Sequence, residues 1–300
     1  MRAPSNIAPC MSVATQVEYE SRVRFRYGVV TFVAAVLLIG SQLVQLVGPT
    51  ADVSEATLGL VIASKRQALD VLSAVTYLIG MFALAASLGW LFQVSRYRNP
   101  GMKPFTRWLA VGGAALAGIM YLVYLVVLGI KGHQFVSSGN QGYPEANALT
   151  SGLLIRILPF LWQLGTLLLA LGIVWVSLNA IRVGLVTKLV GYVGVVAGAL
   201  FVFPIGAIVP IVQAFWLASL SVIMVARWPG GDPPAWRAGE AIPWPSAQNQ
   251  QAARAPRQAR GQRRKVSDSE VLAAVDGSQA PRTEAPSPST SAGKRKRKRK

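Results

Sequence analysis

Four glutamines lie inside the long apolar runs of this chain, where a side-chain amide needs a hydrogen-bonding partner. Moving an amide from water into hydrocarbon without such a partner costs roughly 2–7 kcal/mol. Three tyrosines fall at the same predicted depth, and two charged residues stand at its rim. The candidate polar site therefore comprises Gln42, Gln45, Tyr77, Tyr121, Tyr124, Gln163, Gln213, Asp70 and Arg156.

Motifs of catalysis are missing from the same runs. The sequence has no paired aspartates within a run, no H-E-x-x-H and no G-x-S-x-G. One cysteine, Cys10, and one histidine, His133, exclude an intrachain disulfide and a multi-histidine metal site. We therefore expect no enzyme activity, no cofactor and no metal. The lack of a carboxylate well inside a run also disfavours a proton-coupled pump.

Apolar segments long enough to cross a membrane must position these side chains. Hydrophobic residues make up 52% of the chain and charged residues 14%, which is unlike a soluble domain. A helix that crosses the hydrocarbon core of about 30 Å needs about 20 apolar residues. Four runs without an ionised side chain reach that length and predict spans at 28–48, 71–92, 108–130 and 157–178.

A further apolar run, 189–226, is too long for one span. A single helix of that length would extend about 57 Å, roughly twice the thickness of the core. Pro204, Gly206 and Pro210 mark a turn within it. We expect two spans, 189–206 and 207–226, and hence an all-α, six-helix transmembrane bundle over residues 28–226.

The distribution of lysine and arginine predicts the orientation of this bundle. Of the 30 cations, 26 fall in the N-terminal segment 1–27, in the second and fourth loops and in the C-terminal segment. Cytoplasmic loops carry such an excess. Segment 1–27 also lacks the apolar core of a cleavable signal. We expect a multi-pass protein of the plasma or inner membrane with both termini in the cytoplasm.

This orientation places all four span glutamines in the outer half of the bilayer. They could tie helices together, contact lipid, or line an outward-open polar vestibule between spans one, four and six. A rim ion pair between Asp70 and Arg156 is also expected. Small residues, as in Gly194-x-x-x-Gly198, predict close packing within the chain rather than between copies. The third loop, 131–156, is predicted to be irregular.

Two polar segments follow the last span. Residues 227–245 hold Trp228, Trp236 and Trp244 among prolines, which predicts an irregular segment along the inner interface with the indoles as anchors. A solvated linker is the alternative. Residues 246–300 contain few large apolar side chains, so a disordered basic tail is predicted.

The tail ends in seven consecutive cations. Beside an anionic inner leaflet each contributes about 1 kcal/mol of attraction. We expect the tail to bind anionic lipid headgroups. Contacts with a protein partner or with ribosomal nucleic acid, and a passive solubilising role, are alternatives. The seven residues are Lys294, Arg295, Lys296, Arg297, Lys298, Arg299 and Lys300.

In overall plan, residues 28–226 resemble the many uncharacterised multi-pass integral membrane proteins of bacteria. That resemblance implies a helical bundle and no particular activity. A membrane insertase also combines several spans with a basic ribosome-binding tail, but it uses an arginine in a groove open to the cytoplasm, whereas Arg156 is predicted on the opposite side. The sequence favours a membrane scaffold or regulator whose tail binds anionic lipid or a partner. A transporter of a small neutral or lipid-like solute, using the vestibule, is the alternative, and the oligomeric state is left open.

Overall fold

The described part of the chain folds almost entirely into α-helices. In this computed structural model it comprises residues 12–47, 56–137, 141–202, 208–229 and 231–244, and no strand occurs among them. The predicted all-α class is confirmed. In chain order the helices are α1 (Val13–Leu46), α2 (Ala56–Arg98), α3 (Phe105–Ser137), α4 (Tyr143–Thr150), α5 (Leu153–Val183), α6 (Lys188–Val202), α7 (Ile208–Met224) and α8 (Pro234–Ala238).

Four of these helices are long and apolar enough to cross a membrane, and the protein is therefore membrane-embedded. They are α1, α2, α3 and α5, and each contains most or all of one predicted span. The long apolar run after them forms two helices, as its length required. These are α6 and α7, with 15 and 17 residues. The predicted turn residues Pro204 and Gly206 lie outside the described residues.

The six longer helices pack side by side in a closed ring. Each contacts the next in the order α1, α2, α3, α5, α6 and α7, and α7 returns to contact α1. Apolar side chains from these helices fill the centre of the ring. Several of the largest are fully buried, among them Leu84, Leu88, Leu169, Ile173 and Leu217. The core of the molecule is the inside of this ring.

Small residues let α3 and α5 approach each other at the level of the backbone. A Cβ atom on Gly165 would lie 2.5 Å from the backbone nitrogen of Ala117, and one on Gly172 would lie 2.5 Å from that of Ala110. In α6, a Cβ on Gly194 would lie 2.5 Å from the indole nitrogen of Trp216. The predicted small-residue segments thus pack against neighbouring helices of the same chain.

The segment before the predicted second span and the third loop are more helical than expected. Helix α2 begins at Ala56, well before the predicted span, and α3 continues to Ser137. At 1.5 Å per residue, α2 is about 64 Å long, roughly twice the hydrocarbon core. Leu60 of α2, Phe135 of α3 and Ala146 of α4 form their own buried cluster. The irregular third loop was a wrong prediction, because these apolar contacts stabilise helical structure over much of it.

Candidate functional site

A cavity of about 260 Å³ lies where the six helices of the ring meet, towards the C-terminal end of α1. Every helix of the ring contributes to its wall, so it lies on the ring's axis rather than between two neighbours. We call it the amide cavity. Its lining residues are Gln42 from α1, Tyr77 from α2, Tyr121 from α3, Trp162, Gln163 and Thr166 from α5, Leu200 and Phe201 from α6, and Pro210 and Gln213 from α7.

The amide cavity is neutral and rich in hydrogen-bonding groups. None of its ten described lining residues carries a charge. Each of the three glutamine amides offers both donors and acceptors, and the two tyrosine hydroxyls can do either. Gln42 and Gln163 are exposed and Gln213 is half-buried, whereas Tyr77 is buried. The cavity is therefore open at its amide-bearing side and closed at its tyrosine floor.

Aromatic rings form the closed floor. The ring centroids of Tyr77 and Tyr121 are 4.8 Å apart with their planes at 61°, an edge-to-face contact. Tyr121 and Trp162 follow at 5.1 Å. The side-chain nitrogen of Gln45 donates a long hydrogen bond of 3.4 Å to the Tyr121 hydroxyl. Gln45 thus supports the floor from α1 without lining the cavity.

The structure brings five of the nine predicted site residues together and leaves four outside. Gln45 and Tyr124 are half-buried and do not line the cavity, and Arg156 is exposed near the start of α5. Asp70 pairs with Arg66, one turn earlier on α2, at 3.6 Å between Nε and Oδ1. The predicted rim pair of Asp70 with Arg156 is therefore wrong, since the ion pairs of the described residues join Asp70 to Arg66 on its own helix and not to Arg156.

Sequence reasoning missed part of the cavity wall. Trp162 and Thr166 lie one helical turn apart on α5 and flank Gln163 on the same side. That spacing was a usable signal, since a polar stripe at i and i+4 marks one helix face. Leu200 and Phe201 carry no such signal, because their apolar side chains look like any other residue of a membrane helix.

A second polar assembly lies at the opposite end of the ring. Arg98 of α2 donates two hydrogen bonds to the carboxylate of Glu20 on α1, at 3.0 and 2.6 Å. Arg24 of α1 donates two to Asp232, at 3.0 and 2.6 Å, and one to the carbonyl oxygen of Ile223. We call Glu20, Arg24, Arg98 and Asp232 the ion-pair network. It joins α1 and α2 to the segment that follows α7.

Trp236 of α8 completes this network. The guanidinium carbon of Arg24 lies 4.2 Å from its ring centroid and that of Arg98 lies 5.6 Å away. Trp236 also stacks on Trp90, which stacks on Tyr27. Its indole N–H donates to the carbonyl oxygen of Leu185 at 2.9 Å. The result is a buried aromatic and cationic cluster at this end of the helices.

The burial of Trp236 overturns its predicted role as an interfacial anchor. Its side chain is only 4% exposed and lies inside the protein. The prolines of this segment start the short helix α8 instead of preventing one, since proline is tolerated in a first turn. Gly184 ends α5 with φ of +78°, and a Cβ there would collide with the carbonyl oxygen of Ile242. Residues 232–242 are thus docked on the bundle.

The predicted tail 246–300, with its cations 294–300, and the N-terminal residues 1–11 lie outside the described residues. Comparison of the chain with protein-family models, with curated proteins and with solved structures gives no match. The chain's own chemistry is therefore what bears on its function: a neutral cavity at one end of a membrane bundle and a buried ion-pair network at the other.

Proposed function

We propose that the chain is a six-span membrane transporter for a small neutral or lipid-like solute, with the amide cavity as its binding site. The observation that carries this proposal is the convergence of all six ring helices on one uncharged, amide-lined cavity. Transporters bind their substrates within such bundles, between helices that can move against each other.

The ring of helices, rather than helix length alone, supports the proposal of six spans. Helices α6 and α7 are shorter than the roughly 20 residues that usually cross a bilayer. They nevertheless pack between α5 and α1, both of which are long enough to span. A locally thinned bilayer accommodates short helices at a modest cost. The lysine and arginine bias supports an orientation with both termini in the cytoplasm and the amide cavity towards the outside.

The lining chemistry defines the class of solute. A charged ligand would lose its hydration without meeting an opposite charge among the described lining residues, and that loss is expensive. A neutral ligand with hydroxyl or amide groups would find donors and acceptors on Gln42, Gln163 and Gln213. The volume of about 260 Å³ lies just below the range of drug-sized pockets, about 300–1,000 Å³. A small polyol, a small amide or a neutral lipid headgroup fits these limits.

Cysteine accessibility tests the cavity directly. In a Cys10→Ser background, cysteines replacing Gln163 and Gln213 should react with a membrane-impermeant thiol reagent added outside intact cells. A cysteine replacing Ser87, which is fully buried, should stay unreactive. Protection of Gln163→Cys and Gln213→Cys from the outside reagent would refute an outward-open cavity. Slower labelling in the presence of a polyol or amide then identifies the ligand.

A second function, as a membrane scaffold or regulator, is favoured by the docked segment. The ion-pair network and Trp236 hold residues 232–242 against the bundle, so a tail that follows them starts from a defined place. On this proposal residues 246–300 bind anionic lipid headgroups or a partner. Proteoliposomes of neutral lipid carrying the full chain should then cluster with vesicles that contain phosphatidylglycerol. Unchanged clustering after deletion of residues 246–300 would refute the proposal.

A further inference from the structure

Two adjoining cavities lie on the lateral surface of the bundle, between the end of α2 and the start of α3. The larger measures about 450 Å³ and the smaller about 260 Å³. Both are lined by Phe92, Arg96 and Arg107, so the two arginines border one continuous hollow, which we call the arginine cavity. The remaining lining residues are Gln93, Tyr97, Pro100, Pro104, Trp108 and Val111.

The two arginines are available to a ligand. Both are exposed, and none of the ion pairs formed among the described residues involves Arg96 or Arg107. By contrast, Arg24 and Arg98 are buried and paired with carboxylates, although Arg98 follows Arg96 by only two positions. The contrast separates two structural arginines from two whose guanidinium donors face outwards.

The surroundings of the arginine cavity are those of a membrane interface. Trp108 is 75% exposed and Tyr97 is 37% exposed, and such amphipathic rings prefer the headgroup level. Phe92 and Val111 supply an apolar floor. Three turns from the lining residue Gln93, on the same face of α2, Phe82 is 48% exposed. A cationic rim therefore stands above an apolar surface that continues along the helices into the bilayer.

We propose that the arginine cavity binds the phosphate of an anionic phospholipid, with the acyl chains lying along the outer faces of α2 and α3. The planar guanidinium group donates two parallel hydrogen bonds to phosphate oxygens, and two such groups can hold one phosphodiester from both sides. Basic pockets between transmembrane helices on the cytoplasmic side suit anionic headgroups. A lipid, rather than free phosphate, is the occupant that also covers Trp108, Val111 and Phe82.

Native mass spectrometry of the full chain in mild detergent tests this site. Phosphatidylglycerol should bind more tightly than phosphatidylcholine. The double variant Arg96→Gln/Arg107→Gln should weaken binding of the first phosphatidylglycerol about 25-fold, from about fivefold per arginine. The matched control, Arg26→Gln/Arg227→Gln, removes two exposed arginines at the same end that do not line the cavity. It should change that affinity less than twofold.

Three outcomes would overturn the proposal. Equal binding of the two lipids would show no headgroup selection, and an equal loss in both double variants would show only diffuse attraction to charge. Displacement of the lipid by millimolar inorganic phosphate would show a site for the free ion. The substituted arginines are exposed, so unchanged thermal melting of both variants should confirm that each is folded. The amide cavity plays no part in this test, and its proposal stands or falls separately.

Discussion

Glu20 and Arg98 form a buried ion pair between α1 and α2, with 2.6 Å between Oε2 and Nη2. Their side chains are 2% and 0% exposed. Arg98 also donates to the carbonyl oxygens of Ala235 and Val94. A charge removed from water needs both an opposite charge and further hydrogen bonds, and this pair has both. It connects the two helices to the segment that follows α7.

Replacing Glu20 with glutamine should lower the free energy of unfolding by about 3–5 kcal/mol, because Arg98 would remain buried without its counter-charge. The control is Glu18→Gln, which breaks the exposed pair with Arg22 and should cost no more than about 1 kcal/mol. Denaturation of the purified protein in mixed detergent micelles measures both. Similar small losses would mean that the backbone carbonyls alone satisfy Arg98.

Replacing Gly184 with alanine should release residues 232–242 from the bundle. Both Gly184 and Gly231 have positive φ, +78° and +88°, so alanine at either position costs about 1–2 kcal/mol of backbone strain. Only at Gly184 would the new Cβ also strike the carbonyl oxygen of Ile242, whereas no described atom lies within 4 Å of a Cβ at Gly231. Amide hydrogen exchange at 235–242 should accelerate in Gly184→Ala alone. The same acceleration in Gly231→Ala would assign the effect to strain.

Replacing Gly113 with alanine should destabilise the contact between α3 and α5. A Cβ there would fall on the backbone of Leu169, and overpacking of this kind costs about 1–3 kcal/mol. At the neighbouring Gly112 no described atom lies within 4 Å of such a Cβ, so Gly112→Ala should stay within about 0.5 kcal/mol. Thermal melting in detergent compares the two variants. Equal melting temperatures would contradict the close approach of the helices.

Replacing Phe135 with alanine should loosen the helical extension of α2 and α3 without disturbing the ring. Phe135 is fully buried against Leu60 and Ala146, and loss of such a side chain costs about 3–5 kcal/mol. Exchange should accelerate at 56–66 and 129–137 and remain slow at 84–98. Phe160→Ala, at a side chain 67% exposed, is the control. Exchange that accelerates across the whole bundle would show that the extension is not a separate unit.

Much of the fold could be predicted because its signal is local. A run of about 20 apolar residues gives a helix wherever it occurs, and 38 such residues must fold back. The glutamines of the cavity were detectable for the same reason, since Gln42, Gln163 and Gln213 are rare polar positions in otherwise apolar helices. Their meeting on the ring axis required all six helices, which no short segment encodes.

The ion-pair network escaped prediction because its members resemble ordinary loop charges. Arg24 and Arg98 fit the positive bias of cytoplasmic loops, and Asp232 stands among prolines and glycines. Pairing depends on which helices are neighbours, and Glu20 and Arg98 are 78 residues apart. Helix α2 begins before the predicted span for a related reason. Lys65, Arg66 and Asp70 suggest a loop by composition, yet one side of the same stretch carries apolar side chains that pack on α3.

The contact between α1 and α7 joins the first long helix of the ring to the last. Arg24 bonds to Ile223 and Asp232, which follow it by 199 and 208 residues. A ribosome therefore delivers α1 to the membrane long before its final neighbour exists, and domains assemble in the order in which they are made. Throughout that interval the side of α1 that will contact α7 is exposed to lipid or to the insertion machinery. The ring of helices closes, and the amide cavity acquires its lining residues from α7, only after α7 has been synthesised.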